Sequence, residues 1–138
     1  MEAMADACHQ LLDYVATHPN AGIHYLASSI ILMIHTNASY LFEHNARSWA
    51  SAYFYLTNKG DKEFNNGAIL SLASIINQVM SLASESKLSA VYYGCNIAVL
   101  IRTTLDEMCH MQPPTPVTTD NITAQGITVG TMAPKASK

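Results

Sequence analysis

Three oxygen-bearing side chains stand where apolar runs give way to polar sequence: Asn37, Glu85 and Asp120. Asn37 closes the run I-I-L-M-I-H-T-N at 30 to 37, Glu85 falls in the first turn of a predicted helix, and Asp120 follows V-T-T at 117 to 119. Carboxylates converging from three separate elements suit magnesium chemistry, because the ion takes hard oxygen ligands and keeps waters that can be activated. Two acids and an amide are a weakened version of that set. Asn37 offers one neutral oxygen, without the charge that offsets repulsion between two close metal ions. Each residue also has an ordinary role: Asn37 as a turn residue after a strand, Glu85 as an acid favoured at a helix N-terminus, Asp120 with Asn121 as the cap of a following helix.

The elements that would position these groups are legible in outline. Ile30 to Tyr40 is predicted as the central strand: five successive apolar residues, Ile30 to Ile34, suit a strand buried on both faces, and His35-Thr36-Asn37 forms its polar tip. Before it, Met4 to Ala16 carries Ala7, Leu11, Leu12 and Val15 at helical spacing, and Pro19 and Gly22 stop that helix. Gly22 to Leu26 reads as a brief strand, folded back on the central strand through Ala27-Ser28-Ser29 as a hairpin. Phe42 to Arg47 reads as a loop, Ser48 to Leu56 as an aromatic-rich second strand and Asn58 to Gly67 as a turn; Ala68 to Val79 has apolar positions that also fit a helical period, and its β-branched residues and the preceding turn favour a third strand. Ser81 and Ser84 are candidate N-caps for a long helix with the stripe Leu88, Val91, Tyr92, Cys95, Ala98 and Val99, a weak point at Gly94 and an end near Met108. Pro113 onward terminates it, Val117 to Thr119 is a short strand, Asn121 to Gly130 is a poor helix, and the tail from Thr131 is expected to be disordered.

Composition narrows the function classes. The 138 residues suit one domain, and 49% hydrophobic content is enough for one core. Charged residues make up 12%, about half the roughly 25% of an ordinary domain. A net charge of −3 with seven scattered Lys and Arg argues against holding nucleic acid mainly by long-range attraction. Cys8, Cys95 and Cys109 form an odd set without C-x-x-C, which suits a reduced intracellular compartment. Apolar runs of five or six residues fall short of the roughly 20 a membrane-spanning helix requires, so no membrane span is expected. Zinc ligand spacing is missing around Cys109-His110. Tyr53, Tyr55, Tyr92 and Tyr93 could stack on bases, though core packing is the ordinary role of such aromatics, and Arg47, Lys59 and Lys62 could contact phosphate or simply face solvent.

Several of these stretches, in order, resemble the ribonuclease H domain of copia-type retrotransposon (reverse transcriptase) polyproteins. L-L-D-Y-V-A-T-H-P-N with G-I-H-Y is similar to the segment joining reverse transcriptase to that domain. I-H-T-N-A-S-Y at 34 to 40 resembles the first-strand motif, with Asn37 at a position where Asp usually stands. N-A-R-S at 45 to 48 resembles the opening of the second strand. S-E-S-K-L-S-A-V-Y at 84 to 92 resembles the A-E-A-E-Y helix start, putting Glu85 on the catalytic Glu and Lys87 on its acidic neighbour. T-D-N at 119 to 121 resembles the C-D-N strand end, putting Asp120 on a catalytic Asp.

The resemblance implies an α/β, ribonuclease H-like mixed sheet of three antiparallel strands plus one parallel strand, with a long helix packed on it and a short helix before it. It divides the chain into a connecting helix and short strand at 1–29, a C-terminally truncated ribonuclease H-like domain at 30–130 and a tail at 131–138. It implies a site of Asn37, Glu85 and Asp120, with Glu85 and Asp120 as magnesium ligands and an RNA/DNA hybrid as partner. In the family two magnesium ions activate a water for attack on the RNA strand. With Asn37 in place of Asp, and the chain ending before the fourth acid, the expectation is a degenerate remnant without useful hydrolysis. The alternative is a non-catalytic module that binds nucleic acid or protein through the retained fold.

Overall fold

The computed structural model describes residues 2–59 and 66–132. Helix α1 (Glu2–Thr17) is followed by strands β1 (Ile31–Glu43), β2 (Arg47–Thr57) and β3 (Ala68–Ile76), helix α2 (Ala83–Glu107), strand β4 (Val117–Thr119) and helix α3 (Ile122–Thr128). The sheet order is β3-β2-β1-β4, with β1, β2 and β3 antiparallel and β4 parallel to β1. This is the expected mixed α/β layout. Strand side chains alternate between faces. On β1, Leu32 and Ile34 point toward α2 and pack with Ala52, Phe54, Ala98 and Leu105 in one core cluster. Ala38, Ala50, Ile76, Met80 and Ala90 form a second. Met33, on the other face of β1, is buried as well, so the Leu32 to Ile34 run is covered on both sides.

α2 is the helix that closes this core. It is 25 residues long, and among the described residues it is the one helix long and apolar enough to cross a membrane by length and composition. Here it lies on the sheet instead. Gly94, expected to weaken the helix, sits in its uninterrupted middle and marks the closest approach to the sheet. A Cβ there would stand 2.9 Å from the Thr36 methyl and 3.6 Å from an Ile34 methyl. The missing side chain therefore serves packing, which outweighs its cost in helix propensity.

Several sequence expectations are corrected. Residues 22–26 are not a strand, and the expected hairpin with β1 is absent, because β1 already has β2 on one side and β4 on the other. The segment is held by one backbone bond, Gly67 N–H donating to His24 C=O at 3.1 Å, and by side chains. Asn66 accepts from Leu26 N–H at 2.8 Å and donates to Leu26 C=O at 2.8 Å, and Asn58 Oδ1 accepts from Ser29 N–H at 2.8 Å. His35-Thr36-Asn37 is not the tip of β1 but its middle, since pairing continues to Glu43 opposite Arg47. The loop expected at 42–47 contracts to a single 3-10 turn, His44–Ala46, with Asn45 and Ala46 both at positive φ. Neither Ser81 nor Ser84 caps α2. Leu82 is the N-cap and offers no side-chain bond. In the turn expected at 58–67, residues 60–65 lie outside the described residues, as does the tail from residue 133.

β4 is only three residues long and is secured from its flanks. Gln112, just before it, acts as a substitute strand residue: its side-chain amide donates to Ile30 C=O at 2.8 Å and accepts from Leu32 N–H at 3.0 Å. Arg102 of α2 holds the proline-bearing segment in place, donating to Pro113 C=O, to Thr115 Oγ1 at 2.7 Å and to Gln112 C=O at 2.9 Å. A guanidinium fork can satisfy three acceptors together in a way that an ammonium cannot.

Candidate functional site

Asn37 and Asp120 do meet. Thr119, the last residue of β4, pairs with Thr36 of β1, so the next residue of each strand, Asp120 and Asn37, emerges at the same point on the sheet. The chain leaves β4 there because Asn121 caps α3, its Oδ1 accepting from Ala124 N–H at 2.8 Å. The cap is thus Asn121 alone, and the Asp120 carboxylate is left to face α2.

The residue of α2 that reaches them is Lys87. Its Nζ donates to Asp120 Oδ1 at 2.7 Å, to Asp120 Oδ2 at 2.9 Å and to Asn37 Oδ1. The Lys87 side chain is 15% exposed and that of Asp120 60%. Glu85 does not join the group: among the described residues it makes no bond to Asn37 or Asp120, and its Oε2 instead accepts from Ser81 N–H at 2.8 Å across the first turn of α2. Helix geometry explains the choice. Two positions along a helix is about 200° of rotation, so a helix that aims Lys87 at the sheet aims Glu85 away from it. Glu85 therefore serves the helix start, where its charge is favoured by the exposed N–H groups.

The three groups brought together are one carboxylate, one amide oxygen and one ammonium. Asn37 Oδ1 already accepts two hydrogen bonds, from Lys87 and from Ala38 N–H at 2.7 Å, which uses both of its lone pairs. Asp120 receives Lys87 on both oxygens. Magnesium would need oxygens at about 2.0–2.1 Å in octahedral array. With the ammonium lodged between the same oxygens, a divalent ion would lack ligands and meet a positive charge. These residues do not fit a two-metal centre. Elsewhere, among the described residues, no group of three or more His, Cys, Asp or Glu could hold a metal ion.

Beside this cluster the sheet carries an open depression of about 440 Å³, whose lining includes His35, Asn37, Ser51, Tyr53, Ser71 and Asp120. His35 Nε2 and Tyr55 OH share a 2.6 Å hydrogen bond, and the Tyr53 ring packs 5.6 Å from that of Tyr55. Tyr55 is fully buried, whereas Tyr53 is 38% exposed with its hydroxyl donating to Asn66 C=O at 2.8 Å. Of the four tyrosines considered for stacking, Tyr55 is core and Tyr53 lines the depression. Tyr92 and Tyr93 are exposed on α2. Arg47 and Lys59 are exposed, Lys62 lies outside the described residues, and Cys109 and His110 are exposed at the end of α2. What sequence reasoning missed was Lys87 as the residue that faces the site. The signal available was its two-residue offset from Glu85, which forbids both from pointing the same way. No protein-family model, no curated protein and no solved structure matches this chain.

Proposed function

We propose that this chain is a remnant of a retrotransposon polyprotein ribonuclease H domain, a pseudoenzyme in which a lysine-centred ion pair occupies the place of a metal-binding carboxylate cluster. The observation that carries the reading is the Lys87 ammonium held by Asn37 on the central strand and Asp120 at the end of the parallel strand. An amide, a cation and one acid from the three elements that would supply the ancestral ligands leave no charge surplus for magnesium, so RNA in an RNA/DNA hybrid is not hydrolysed. On this reading the position of α2 that faces the site is Lys87, matched above to the acidic neighbour in the helix motif, and not Glu85. The three free thiols suit an intracellular setting.

The second reading, a non-catalytic nucleic-acid or protein binding module, is favoured by the depression beside Asp120 with its exposed Tyr53 ring. Such a module would shift an RNA/DNA hybrid with a salt-dependent affinity.

The test is cleavage of an end-labelled RNA/DNA hybrid in magnesium and in manganese. The unaltered protein should leave it intact. The Asn37→Asp, Lys87→Glu double variant should bind manganese where the unaltered chain does not, and adding Asp120→Ala should abolish this. If the double variant is folded yet does not bind the metal, the site assignment fails. A mobility shift by the unaltered protein without cleavage selects the binding module.

A further inference from the structure

Helix α1 stands apart from the domain. No described side chain from Met4 to Thr17 is buried, and α1 makes no substantial contact with any other element among the described residues. Its apolar side chains are nevertheless large: Leu11 and Leu12 are each 63% exposed and Val15 is 56% exposed. A helix of 16 residues is marginal by itself in water, so a lone amphipathic one requires a partner for its apolar side.

The spacing of that side suits a helical partner. Met4, Cys8, Leu11 and Val15 are separated by four, three and four positions, which is the seam of a heptad repeat and matches another helix of the same period. With Cys8 and Val15 at the a positions and Met4 and Leu11 at the d positions, the flanking e and g positions are Ala5, Ala7, Leu12 and Tyr14, none of them charged. Asp6 and Asp13 both fall at f, farthest from the seam. Two identical copies can therefore meet along this seam without like charges opposing each other. A negatively charged membrane surface would instead be repelled, because α1 carries acids and neither Lys nor Arg.

We propose that α1 pairs along the Met4, Cys8, Leu11, Val15 seam with α1 of a second copy of the chain. The interface belongs to α1 alone and is independent of the Asn37, Lys87, Asp120 cluster.

Sedimentation equilibrium of the full chain in reductant, from about 5 to 200 μM, tests this. The mass should rise with concentration from 15.0 kDa toward twice that value. A Leu11→Asp, Val15→Asp variant should raise the dissociation constant at least tenfold, and Asp13→Asn, at an f position, should leave it unchanged or lower it. A milder Leu11→Asn change should fall between. Because these side chains are exposed, the near-ultraviolet circular dichroism of the domain should match in all four proteins. A monomer throughout the range would overturn the proposal, and so would a dimer that survives the seam variants, since it would use another surface such as the β3 edge.

Discussion

Two cations of α2 reach across to the same short strand and do so by different physics. Arg102, near the C-terminal end of the helix, grips the chain entering β4, and Lys87, near the N-terminal end, grips the residue leaving it. Arg102 is half-buried and spends its fork on two backbone carbonyls and a hydroxyl, groups that cannot be charged and that water does not reach freely. Lys87 faces a carboxylate that is mostly in solvent, where attraction is screened and the net gain of an ion pair is small. One contact builds the fold and the other joins α2 to the exposed end of β4. The lesson is that a cation next to an acid is not evidence of stability, whereas one beside neutral, partly buried acceptors is.

The largest effect should come from breaking the Arg102 end. Arg102→Ala leaves three acceptors without a donor and frees the segment that carries β4, so a loss of about 2–3 kcal/mol is expected, since hydrogen bonds to a charged group contribute about 1.5–3 kcal/mol each before relaxation. A thermal melt should show Tm falling by about 10 °C. Arg102→Lys should recover only part of it, because an ammonium cannot span the same acceptors. Between the two cations lies Thr119, whose Oγ1 is buried without a partner. Thr119→Val replaces that hydroxyl by a methyl of the same shape and should raise stability by about 1 kcal/mol in urea unfolding, with the slope unchanged. The smallest change belongs to Lys87→Ala, about 0.5 kcal/mol in low salt, shrinking toward zero in 1 M sodium chloride as the exposed pair is screened. A loss at Lys87 as large as that at Arg102, and insensitive to salt, would erase the distinction.

Much of the sheet was legible because its signals are local. The β-branched and aromatic runs of Ile30 to Tyr40 and Ser48 to Leu56 specify strands wherever they pack, and V-T-T before Asp120 marked the fourth strand. The expected strand at 22–26 failed for a reason no local signal carries: both edges of β1 were taken. Ser81 and Ser84 failed as caps because Glu85 folds back onto Ser81 N–H and the chain enters the helix through Leu82 instead. In the candidate site, Asn37 and Asp120 were correctly placed side by side, since strand register alone brings them there. The sequence points to Glu85 as the third member, and rotation about the α2 axis makes it Lys87.

By itself the sequence determined the type of most elements, because side-chain shape and periodicity act over a few residues, whereas the parallel place of β4 beside β1 followed only from the resemblance until strand pairing showed it. The tertiary structure alone decided which face of α2 meets the sheet. That face is set by Gly94, whose missing Cβ lets the helix settle against Thr36, and the same rotation turns Lys87 inward and Glu85 outward. The chemistry of the site, an ammonium where a carboxylate was expected, is thus a consequence of helix-to-sheet packing seven residues away, a distance over which sequence pattern carries no angle.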